Sequence, residues 1–285
     1  DPATSESPKR FPLAPAQKRL WFIDQLQPGQ AVYIIPVTLR LEGEFDQQLL
    51  HRCLNEIVAR HEVLRTRFVA EEGVPYQVID PPFEFPPLGS KGDHDSFHAA
   101  PFDLAQGPLI RVRLKGNELY LAVHHIIADF WSLRVLLREL QLRYAAHLKS
   151  ESANLPDLKI QYVDYAVWQE QQAAQLEAEL DYWRNELAGV PDLLQLPTDS
   201  PRPGQPSFRG ARQPIEFPKA TAESLTQLAR DQKTTTFSAM LAAFAAVLYR
   251  YTGQDDFCIG STVTNRDREE TRDLIGLFVN NLVFR

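Results

Sequence analysis

Two periods organise the apolar positions of this chain. Asn117–His125 (NELYLAVHH) runs into the apolar alternation of a strand, whereas Trp131–Leu148 carries apolar residues at helical spacing. Leu109–Leu114 alternates with arginines and predicts a second strand after the turn Pro101–Arg111. Ala31–Leu41 is β-rich, with Pro36 marking an edge or a bend. Val63–Phe68, the start of Val74–Pro87, Gln213–Phe217, Phe257–Val263 and Leu277–Phe284 supply further strands. Helices are expected over Ala14–Leu26, Ile160–Gln172, Ala173–Leu187 and Thr221–Arg230. Asp46 is suited to cap a helix from Gln47 to about His61, with Leu49, Leu50, Leu54, Ile57 and Val58 on its apolar face. Thr235–Tyr251 is apolar on nearly every side, which predicts a deeply buried helix.

Punctuation between these elements suggests two parts. Leu196–Arg212 (LPTDSPRPGQPSFRGAR) is rich in Pro, Gly and Ser and reads as a linker, and Asp1–Arg10 reads as a loose lead-in. Lys91–Ala99 is polar, so His94 and His98 are expected at the surface. The mixture is that of an α/β protein. A net charge of −7 without a long basic run argues against nucleic acid or an anionic membrane as the main partner. Cys53 and Cys258 are far apart and outside any CxxC pattern, which favours buried thiols in a reducing cytoplasm over a disulfide. No apolar run is long enough to span a bilayer.

The chemistry concentrates in VHHIIADFWS, Val123–Ser132. His124 and His125 end the strand, and Asp129 lies in the turn leading to the helix. Neighbouring strand residues point to opposite faces, so the two imidazoles cannot chelate one ion together. One faces the interior and the other a cleft, which favours a single working imidazole and no metal. Two hydrogen-bonded structural histidines would be the plainer reading of an isolated pair. Other segments along the chain change that balance.

APAQKRLWF, RHEVLRTRF, PFDLAQGPLIR, VHHIIADFWS, YVDYAVWQ, YWRNELAG, LPTDSPRP and IGLFVNNLVFR occur in one order. Together they resemble the condensation domain of nonribosomal peptide synthetases, within the chloramphenicol-acetyltransferase-like acyltransferases. The resemblance implies two similar α/β lobes in a V, with a tunnel floor between them and carrier proteins entering from opposite faces. The lobes would map to an N-terminal lobe at 8–172, after a lead-in at 1–7. A connecting helix and Pro-rich linker at 173–212 would precede a partial C-terminal lobe at 213–285. The C-terminal lobe looks truncated, because the family's floor loop and cross-lobe strand have no counterpart here. The chain alone is therefore expected to be inactive or nearly so.

The implied reaction is attack of an acceptor amine on a donor thioester, both borne on phosphopantetheine arms of carrier proteins. No cofactor binds directly, and the protein would be cytoplasmic. By position His125 matches the catalytic histidine, either as general base or by orienting the amine and stabilising the transition state. His124 matches the structural first histidine, and Arg65 matches the arginine that the family pairs with Asp129. Ser132 reads as a helix-start residue rather than a nucleophile. Asn280 and Asn281 either line the channel or hold backbone, whereas Trp21 and Trp168 read as core. The plainer reading of Arg60, His61 and Glu62 is a solvated helix end, and it is the one expected for His61.

One position departs from the family motif HHxxxDG: Phe130 replaces the glycine. It could narrow the acceptor channel beside Trp131 or point into the core, and the channel is the expectation. A carrier-bound epimerase of the same fold and a non-catalytic carrier-docking module are the competing readings.

Overall fold

The computed structural model describes residues 9–89, 94–172, 176–201, 203–204, 210–211 and 213–285; the side chains of 94–96 and 177–178 are outside that description. The lead-in therefore lies outside it, apart from Lys9 and Arg10, and so does part of the linker. The chain divides into two compact units. One comprises residues 1–177 with 263–280, the other 178–262 with 281–285. This differs from a simple break at the linker, because a late segment returns to the first unit.

In the first unit, β1 (Arg10–Pro12), β3 (Thr66–Glu71) and β4 (Val74–Ile79) form an antiparallel sheet in the order β1-β4-β3. A second antiparallel sheet has the order β2-β6-β5, from β2 (Ile34–Arg40), β5 (Ile110–Lys115) and β6 (Glu118–His124). Pro36 sits in the edge strand β2, where a missing N–H does least harm. The central strand β6 is buried along nearly its whole length. Its partners place Ile34 and Leu109 beside His124.

Three helices of this unit matter for the site. These are α1 (Pro15–Leu26), α4 (Phe130–Leu148) and α5 (Tyr162–Gln172). A fourth, α2 (Gln47–Arg60), packs on α4 and starts as expected, with Asp46 accepting from the N–H groups of Gln48 and Leu49. A short helix α3 (His94–Ala99) occupies the polar stretch expected at the surface, and His98 is half-buried rather than exposed. His61 is also a correction. It is buried, and its Nε2 lies 3.1 Å from Glu139 Oε1, which also accepts from Arg60. Burial pushes the Glu139 carboxyl up, but the His61 hydrogen bond and the Arg60 charge outweigh it and hold it below the ordinary value. A charged helix end that meets a buried carboxylate cannot be told from a solvated one by spacing alone.

The second unit contains α6 (Glu177–Glu186), α7 (Lys219–Asp231) and α8 (Thr236–Thr252). Gln213–Phe217 is not a strand; Pro214 lies within it and Pro218 directly follows, and Ile215 and Phe217 are exposed. The expectation of a deeply buried α8 fails as well. Phe237, Met240, Phe244, Val247 and Tyr251 are all exposed, and Leu248 is its one buried residue among those described. Finally, β7 (Ile259–Thr264) pairs with β8 (Val279–Phe284), and the division between the units falls within both strands. Among the described residues, no helix is long and apolar enough to cross a membrane. Cys53 and Cys258 are free thiols, the first buried and the second half-buried.

Candidate active site

The two histidines fall in different surroundings: His124 ends β6, whereas His125 opens the turn that follows. His124 is buried, and its Nδ1 accepts the N–H of Ile126 at 3.1 Å, which places its proton on Nε2. The Phe102 ring stands perpendicular to the imidazole, with the centroids 6.2 Å apart. Burial, reinforced by the neighbouring His125, lowers the His124 pKa to about 4, so the ring is neutral near pH 7. Such an imidazole closes the turn.

His125 is only half-buried, and its backbone N–H is fixed by the Tyr33 carbonyl at 2.7 Å. Its ring makes no hydrogen bond with any described residue, and Nδ1 is without a partner. One histidine is thus committed and the other available. Gln17 of α1 steadies the turn: its Nε2 donates to the Ile126 carbonyl at 3.1 Å while Oε1 accepts from Ala14 N–H.

Asp129 is fully buried at the N-cap of α4. One carboxylate oxygen accepts from the N–H and the hydroxyl of Ser132, each at 2.7 Å, and from Arg266 at 3.1 Å. The other accepts from Phe278 N–H at 3.1 Å. A carboxylate so enclosed has its partners within the fold, as a buried charge requires. Its cationic partner is Arg266, not Arg65. Arg65 ends a 3₁₀ turn that aims it at the end of β4, where it donates to the Asp80 carbonyl and approaches Glu62. Arg266 is itself buried, donates to the Thr271 and Leu274 carbonyls, and stacks over Phe278 at 3.9 Å. In sequence it sits in the polar run TNRDRE, where nothing distinguishes it from a solvated arginine.

The first turn of α4 also carries Phe130 and Trp131. Phe130 is 76% exposed, which excludes the core placement. Its position is the first helical residue, with no positive φ, so the backbone does not require glycine there. Trp131 donates its indole N–H to the Arg272 carbonyl at 2.9 Å. Asn280 accepts from Arg19 of α1, and Asn281 is exposed in β8. Trp168 is half-buried beneath the guanidinium of Arg268. No group of described residues could hold a metal ion.

The architecture matches solved proteins of the chloramphenicol-acetyltransferase-like fold. The chain resembles the first condensation domain of the CDA synthetase with a TM-score of 0.78 at 25% identity, covering 98% of this chain and 71% of that one. It also resembles the X-domain in the complex of the X-domain and OxyB from teicoplanin biosynthesis, with a TM-score of 0.81 at 28% identity, covering 98% and 66% respectively. The sequence matches the condensation-domain family over residues 8–285, and the chain belongs to that family. A similar curated protein is a linear gramicidin synthase of Brevibacillus parabrevis, 43% identical over 305 residues. That match covers 100% of this chain and 6% of the synthase, so the chain spans a small part of its curated relatives.

Proposed function

We propose that this domain forms an amide between a donor acyl thioester and an acceptor amine, both presented on phosphopantetheine arms of carrier proteins. The observation that carries the reading is the pair of histidines, with His124 locked as a neutral turn residue and the His125 ring half-buried and unengaged. The amine nitrogen attacks the thioester carbonyl, the C–S bond breaks, and the sulfur leaves with its electron pair on the donor arm. His125 takes the proton that the amine loses, or orients the amine while the oxyanion develops. Among the described groups of the turn it is the imidazole left free to do either. Phe130, an exposed ring one residue past Asp129, restricts the acceptor beside Trp131, and Asn280 and Asn281 flank the channel.

Bimolecular steps depend on positioning, about 7–11 kcal/mol in well-oriented cases, so the reading requires both arms to be held against His125. The test is an amide-formation assay with loaded donor and acceptor carriers, run on the chain and on a synthetase module that contains it. The module is expected to form amide, and His125→Ala to abolish this with an unchanged melting temperature. Full activity of His125→Ala would overturn the assignment. Solvent deuterium entering the substrate α-carbon would favour an epimerase.

A docking role without catalysis is the second reading. Phe130 at the motif's glycine position and the likeness to an X-domain seen with OxyB favour it. It predicts carrier binding with no amide.

A further inference from the structure

Ser132 lies at a crossing of four hydrogen bonds. Its hydroxyl oxygen is 2.7 Å from Asp129 Oδ1, 2.9 Å from Arg266 Nη2, and 3.0 and 2.8 Å from the nitrogen and carbonyl oxygen of Gly276. A hydroxyl has one proton and two lone pairs. The lone pairs take the Arg266 and Gly276 N–H groups, and the proton goes to Asp129 or to the Gly276 carbonyl. All of this is buried.

Gly276 is held from its other side too. The Tyr162 ring covers its α-carbon so closely that a β-carbon would meet Tyr162 Cδ2 at 2.0 Å. The Tyr162 hydroxyl donates to the next carbonyl, that of Leu277, at 2.7 Å. Phe278 N–H then reaches Asp129, and Asn280 reaches Arg19. Five consecutive residues, 276–280, thus contain four that are tied to α4, α5 or α1.

We infer that Ser132 is a positioning residue, whose hydroxyl clamps Gly276 against Tyr162 and so sets the register of the segment 276–280 beside the histidine turn. This rests on the amide-forming reading, in which that segment flanks the reacting groups. A hydroxyl is needed because it must accept and donate at once on a peptide unit, which neither a methyl nor a thiol does well.

The test uses the synthetase module carrying Ser132→Ala and Ser132→Thr, with hydrogen exchange and steady-state kinetics measured on each. In Ser132→Ala the amides of Gly276 and Phe278 are expected to exchange about tenfold faster or more, with the β5–β6 amides unchanged. Its kcat should fall about 10- to 100-fold at a nearly constant acceptor KM, and Ser132→Thr should recover most of the loss. A purely structural serine would lower the melting temperature and leave kcat alone. Unchanged exchange, or faster exchange with unchanged kcat, overturns the inference. If Ser132→Ala does not fold, Ser132→Cys replaces it under the same two criteria. If the unsubstituted module forms no amide, the functional reading falls, and the exchange result alone decides whether the clamp exists.

Discussion

Helices α4 and α8 have similar local credentials and opposite environments. Asp129 caps α4 and Thr235 caps α8, and α8 stops at Gly253 in the left-handed conformation. Yet α4 buries Leu133, Val135, Leu136 and Leu140, whereas α8 leaves an apolar stripe exposed from Phe237 to Tyr251. The stripe repeats at three and four residues, the spacing of a helix face made to be covered. Caps and propensity are enough to specify a helix; burial needs a second surface. The first unit has that surface in α2, which packs on α4, and residues 263–280 belong to the same unit.

The sharpest way to break this contrast is to attack the returning segment. Asp129→Asn or Arg266→Met should each cost about 3–5 kcal/mol in denaturant unfolding, since each leaves a buried polar partner uncompensated. The double variant should cost less than the sum, and additive losses would show that the two are not coupled.

Next in size is a pH effect at His124. Its folded pKa of about 4 lies below the 6.5 of a free imidazole. Above pH 6.5 both states are neutral and its stabilisation is complete. Between pH 6.5 and 4 the unfolded chain binds a proton that the folded chain refuses, so stability falls by roughly 3 kcal/mol. His124→Asn, which keeps an acceptor for Ile126 N–H, should flatten that window in a pH series of denaturant melts. A persisting slope would place its origin elsewhere.

Gly276→Ala should cost about 1–3 kcal/mol by overpacking against Tyr162, while Gly260→Ala, with open space around it, should cost far less. Equal effects would erase the distinction between the two regions. Smallest is the change on the exposed helix. Phe244→Ser with Val247→Ser should move stability within about 0.5 kcal/mol each while reducing self-association in sedimentation. Phe130→Gly should likewise stay within about 1 kcal/mol, well short of a buried aromatic's loss.

Much of this was legible in the chain. The apolar run Leu119–Val123 located β6, period 3.6 located α2 and α4, and the strand end located the turn that holds His124 and His125. Residues whose surroundings come from distant sequence were not legible. Arg266 and Asp129 are 137 positions apart, and a polar loop arginine gives no sign of such a partner. Hydrophobicity likewise read α8 as buried, because a pattern records what a face prefers and not whether a neighbour is present. Strand Gln213–Phe217 failed for the related reason that no neighbouring strand pairs with it among the described residues.

That 137-residue separation also has a meaning in time. At about 5–20 residues per second, roughly 7–27 seconds of synthesis pass between Asp129 and Arg266. Through that interval the helix cap has no counter-charge, and Ser132 has no glycine to grip. The histidine turn therefore matures only after Phe278 has emerged. Until then it depends on the surrounding water, or on a chaperone, to solvate a carboxylate destined for the interior.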